Sequence, residues 1–88
     1  MKGTGRATSD EAGALAARTA RHFAHKVPVE ELDGVHRIET RFGLIELEPS
    51  GGELLVRLHG DEVDELRRVA ASHLERFARG PFELRWSD

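Results

Sequence analysis

Between Val27 and His59 the sequence leaves no room for a crossover connection, and this limits the fold more than any other feature. The segment is a succession of short extended runs broken by turn residues. Val27 to Leu32 is extended and ends at Asp33-Gly34, a pair that favours a tight hairpin because both positions accept positive φ. Val35 to Thr40 alternates apolar and polar residues, and Phe42 to Glu48 follows a tight turn around Arg41. Pro49-Ser50-Gly51-Gly52 reads as a loop. Glu53 to His59 alternates without a break, with Leu54, Val56 and Leu58 on one face and Leu55, Arg57 and His59 on the other. Parallel neighbours need about a dozen residues or more between them, so these strands must pair mostly antiparallel, as a meander.

Two helical stretches flank the meander. The first is expected to start at Thr8, where Thr8-Ser9-Asp10-Glu11 reads as a capping box, and to run to about His25, ahead of Pro28. Ala12, Leu15, Ala16, Thr19, Ala20 and Phe23 recur at helical spacing as a thin stripe suited to close packing on a sheet. The second starts at Asp61 as N-cap with Asp64 in its first turn, buries Val63, Leu66, Ala70, Leu74 and Phe77, and stops at Gly80-Pro81. Phe82 to Trp86 alternates as a last strand. Arg6 to Thr8 reads as a short edge strand, and residues 1–5, with Gly3 and Gly5, as a frayed end. The expected order is β-α-β-β-β-β-α-β, an α+β fold in one domain over residues 1–88, with both helices on one face of the sheet.

Composition narrows the function classes. With 33% charged residues of mixed sign and a net charge of −3, the chain has no field to attract nucleic acid or an anionic membrane. The absence of Cys excludes disulfides, thiolate nucleophiles and thiolate metal sites. No apolar run approaches the ~20 residues that span a bilayer, and the N-terminus lacks the apolar stretch of a secretory signal, so a cytoplasmic location is expected.

The stretch His22-Phe23-Ala24-His25-Lys26-Val27-Pro28-Val29-Glu30 resembles the signature segment of the bacterial family called domain of unknown function 2218. Arg41-Phe42-Gly43, Leu47-Glu48, His73-Leu74-Glu75-Arg76-Phe77-Ala78 and the terminal Trp86 match the same family, so the resemblance covers about residues 7–87. It implies a small stand-alone domain, or one attached to siderophore-interacting flavoproteins, in a setting of iron metabolism. It implies no catalytic or binding residues. The first helix here is richer in Ala and Gly than the family's bulkier one.

Few residues suggest chemistry. Arg18, Arg21, His22, His25 and Lys26 form a basic rim towards the C-terminal end of the first helix, where cations also offset the helix dipole; as a site, the rim would take an anion or carboxylate. His22 and His25 stand at i and i+3 and could share a Zn, Fe or Ni ion if His36, His73 or Glu30 supplied a third ligand. His73 lies at the edge of the second helix's apolar face, where one ring nitrogen is expected to bond a main-chain carbonyl; otherwise it lines a pocket between helix and sheet. No serine or glycine stands in a nucleophile-elbow or phosphate-loop context.

On the uncovered face of the sheet, Phe42, Leu44, Leu55 and Arg57 suggest a surface for a second copy or another protein. The expected function is therefore a non-enzymatic binding or accessory module tied to iron or siderophore handling. It would pair with itself or with a siderophore-related partner and would require no cofactor. The alternative is a small-ligand or metal-binding protein using Arg18, His22, His25, Lys26 and His73.

Overall fold

In the computed structural model, which describes residues 2–87, the meander is part of a six-stranded antiparallel sheet. Its strands are β1 (Lys2–Thr8), β2 (Val29–Leu32), β3 (Val35–Thr40), β4 (Gly43–Ser50), β5 (Glu53–His59) and β6 (Arg85–Ser87), in the order β2-β3-β4-β5-β1-β6. Helices α1 (Ala12–Ala24) and α2 (Val63–Phe77) both lie across one face. The expected element order and the one-sided covering are both present.

Register places the core. Ile45 stands opposite both Ile38 and Leu58, and Leu47 opposite Val56. With side chains alternating across each strand, these residues and Leu54 form one apolar layer, each at most 1% exposed. Leu15, Ala16 and Phe23 of α1 and Leu66, Ala70 and Leu74 of α2 close over it. Each large side chain buried in this way contributes about 1.5–3 kcal/mol before ordering costs. The buried residues of α1 are Ala12, Leu15, Ala16, Thr19, Ala20 and Phe23, the six positions of the expected stripe. On α2, Val63, Leu66, Ala70 and Leu74 are buried and Phe77 is half-buried.

The N-terminal segment departs most from expectation. Residues 2–5 belong to β1, which pairs with β5 along its whole length, from Lys2 opposite His59 to Thr8 opposite Glu53. Thr4 to Arg6 also pair with β6. Met1 lies outside the described residues. The glycines read as marks of a loose end are packing positions: a Cβ on Gly5 would stand 2.7 Å from the ring of Trp86. Glycine there lets the Trp86 indole approach β1 closely.

Helix boundaries shift for local reasons. α1 starts at Ala12, and no capping box forms at Thr8: the Ser9 amide donates to Gly52 O at 2.9 Å, while Ser9 Oγ accepts the Glu11 amide at 3.2 Å. α2 starts at Val63 after Glu62, without a side-chain cap from Asp61, and carries Asp64 and Glu65 in its first turn. It stops at Phe77 because Ala78 turns extended (φ −69°, ψ 141°), ahead of Gly80-Pro81. The Asp33-Gly34 turn has both φ angles positive, as the pair demands. Pro49 and Ser50 extend β4 instead of looping, β2 begins only at Val29, and the last strand shortens to Arg85–Ser87.

Candidate functional site

The turn between β3 and β4 builds one wall of the site. Thr40 pairs with Gly43, leaving only Arg41 and Phe42 in the turn. The Thr40 hydroxyl donates to Gly43 O at 2.9 Å and accepts the Phe42 amide at 3.1 Å, which fixes the turn from inside. The chain after β5 passes tightly beneath it, since a Cβ on Gly60 would meet Phe42 O at 2.6 Å. Held this way, Phe42 packs against the helix-covered core. The expectation that Phe42 joins Leu44 and Leu55 on the open face is corrected here. Phe42 sits in the turn and not in a strand, so strand alternation does not set its direction.

The two helices supply the other walls. His22 of α1 and His73 of α2 have ring centroids 5.4 Å apart; Phe23 lies 4.4 Å from His73, and Phe77 lies 5.1 Å from His22. His73 Nδ1 lies 2.8 Å from Val69 O, one helical turn back. A carbonyl can only accept, so Nδ1 carries the proton, and Nε2 of the neutral ring keeps its lone pair free. This is the carbonyl bond expected from the position of His73. Between these walls and the turn lies a cleft of about 240 Å³, lined by His22, Phe23, Lys26, Val27, Thr40, Arg41, Phe42, Val69 and His73. Most of the lining is apolar, none of it is a carboxylate, and the Arg41 guanidinium lies over the Phe42 ring at 4.9 Å.

The electrostatics are one-sided. Partial burial holds the His22 imidazole below its ordinary pKa, and the like charges of His73, Arg76, Lys26 and His25 lower it further. The neutral ring is therefore favoured at neutral pH.

The sequence-predicted residues divide. His22, Lys26 and His73 meet in the cleft. Arg18 does not: its Nη2 donates to Phe77 O at 3.1 Å, serving a carbonyl left open at the end of α2. Arg18 lines instead a groove of about 440 Å³ with Arg79 and Phe82. His25 is exposed just past α1, and the ring beside His22 is that of His73. Among the described residues no three His, Asp or Glu side chains stand where they could hold a metal ion, so the His22–His25 metal reading lacks its third ligand.

On the open face, Leu44 stands opposite His59 and Leu55 opposite Glu48, with the Glu46–Arg57 pair between them. Ion pairs cross that face, from Arg57 to Glu48 and from Arg37 to Glu46 at 3.4 Å, and His59 Nε2 lies in hydrogen-bond contact with Glu46 Oε1 at 3.0 Å. The apolar patch expected there is thus split in two by charge. Sequence reasoning missed Thr40 and Arg41 as site residues and assigned Phe42 to the open face instead of the cleft. The available signal was the Thr40-Arg41-Phe42-Gly43 turn itself, part of which carries the family resemblance.

The sequence profile of domain of unknown function 2218, described as uncharacterized protein conserved in bacteria, matches residues 4–87. The chain belongs to this family. None of the curated proteins matches this family member. Among solved structures it is similar to PA4090 from Pseudomonas aeruginosa, determined by NMR, with 27% identity and a TM-score of 0.78 over 98% of this chain and 94% of that one. The similarity thus covers nearly the whole of the domain 2218 fold described above.

Proposed function

We propose that the chain is a non-enzymatic accessory module that binds a small organic ligand in the cleft between α1, α2 and the β3–β4 turn. The observation that carries this is the convergence of two imidazoles and two phenyl rings, from three separate elements, around a mostly apolar opening. A few polar groups placed within apolar walls are the usual form of a small-molecule site. Larger grooves exist, of about 440 Å³ beside Arg18 and about 620 Å³ beside Thr8 and Glu83, but charged and turn residues line them without a comparable ring cluster. Binding suits the imidazoles better than catalysis, because His73 is tied to the main chain and not to a carboxylate or hydroxyl that would tune it for proton transfer. The proposed setting is the one the family resemblance implies, iron handling in the cytoplasm with a siderophore-related protein as partner.

Amide chemical-shift mapping against a library of small organic fragments tests the reading. The expected shifts centre on His22, Phe42 and His73. Hits confined to the open face around Leu44 and Leu55, or no hits at the cleft, would overturn it.

A further inference from the structure

We infer that the ligand class this cleft takes is a small aromatic carboxylate, its ring held between Phe42 on one side and the contacting His22–His73 pair on the other, and its carboxylate turned towards Lys26 and Arg41. The inference rests on the reading of the cleft as a binding site and adds the chemistry of the occupant.

Three observations converge on that class. At about 240 Å³ the cleft lies below the roughly 300–1,000 Å³ of drug-sized sites, so the part of a ligand that it holds is one or two rings in size. Its walls are ring faces and edges from both helices and the turn, and aromatic groups meet such walls in offset or edge-on contact. Its charge has one sign. Lys26 and Arg41 line the cleft, both are exposed, and neither forms an ion pair among the described residues. Arg41 is already placed over a phenyl face, where a guanidinium can stay while also meeting a carboxylate. A neutral ring would leave these cations unused, and an aliphatic acid would leave the ring walls poorly filled.

The same geometry makes binding depend on protons. The groups facing His22 are His25 and Lys26 just past the end of α1 and His73 and Arg76 from α2, with Arg41 on the turn across the cleft. All are cationic or can become so, and together with partial burial they keep the free imidazole neutral. A bound carboxylate reverses that field and favours the protonated ring, so binding takes up a proton. Affinity then rises as pH falls from 8 to 6, while the ligand carboxylate, with a pKa of about 4, stays ionised.

The test titrates the full chain with benzoate, benzyl alcohol and acetate at pH 6 and pH 8, following the amide and imidazole resonances of His22 and His73. Benzoate is expected to shift both histidines, to bind tighter at pH 6 than at pH 8, and to exceed both other probes at least tenfold at pH 6. The exposed double variant Lys26→Ala, Arg41→Ala should bring benzoate down to the level of benzyl alcohol, with unchanged Trp86 fluorescence showing that the fold persists. If benzyl alcohol binds at the cleft as tightly as benzoate, without pH dependence, the carboxylate class is overturned and the cleft reading stands. If acetate matches benzoate, the aromatic requirement is overturned. If no probe shifts a residue of the cleft, the inference and the binding reading both fail.

Discussion

A methyl group at Gly5 would sit 2.7 Å from the Trp86 ring, whereas at Gly13 it would meet nothing within 4 Å. The same substitution should therefore have opposite signs at the two positions. Gly5→Ala should lower stability by about 2 kcal/mol and displace the single tryptophan, read as a shift in its fluorescence. Gly13→Ala, on the exposed side of α1, should raise stability by about 0.5 kcal/mol. Thr19 is 1% exposed, and its hydroxyl has no hydrogen-bond partner among the described residues. Removing an unsatisfied buried hydroxyl relieves a desolvation cost, so Thr19→Val should raise the urea midpoint by the equivalent of about 1 kcal/mol. A fall would mean that the hydroxyl is satisfied in solution. At this scale the sequence was partly legible. Thr19 could be placed on the buried stripe from helical spacing, but its missing partner could not be seen. Phe42 was misplaced because a turn residue follows the turn's hydrogen bonds and not the alternation of its neighbours.

The two helices meet along a seam where Arg18 reaches Phe77 O and His22 faces His73. Arg18→Gln should weaken the end of α2, speeding amide exchange in its last turn and costing about 1 kcal/mol. The His22–His73 contact gives the seam a pH dependence. Because the folded-state pKa of His22 lies below its ordinary 6.5, the native state favours the neutral ring. That preference stabilises the fold above pH 6.5 and is lost as pH falls through the depressed value. Melting temperature should accordingly be flat above about pH 7.5 and decline below about pH 6.5, and His22→Gln should flatten part of that decline. An identical pH profile in the variant would remove His22 as its source. The elements themselves were largely legible. Spacing gave all six buried positions of α1, and the Asp33-Gly34 turn was fixed by its two residues. The capping box was not legible as false, because Thr8 completes β1 and Ser9 is tied to Gly52, far away in the chain.

At the scale of the molecule, the architecture follows from short connections and one-sided apolar faces, and both could be read directly. What could not be read is long-range pairing. β1 lies between β5 and β6, whose residues come some fifty to eighty positions later, and no local pattern announces such partners. The cleft has the same origin. α1 and the turn after it bring His22 and Lys26, the β3–β4 turn brings Arg41 and Phe42, and α2 brings His73, so only the assembled fold makes it one place. His22, Lys26 and His73 could be named as one candidate set with Arg18 and His25, but their convergence with Phe42, and the departure of Arg18 and His25, could not. The most direct test compares binding of the strongest cleft-directed fragment to the wild type, to Phe42→Ser and to Arg57→Ala, with Trp86 fluorescence confirming that each variant is folded. The account predicts at least a tenfold loss of affinity in Phe42→Ser and no change in Arg57→Ala. An unchanged Phe42→Ser together with a weakened Arg57→Ala would place binding on the open sheet and contradict it.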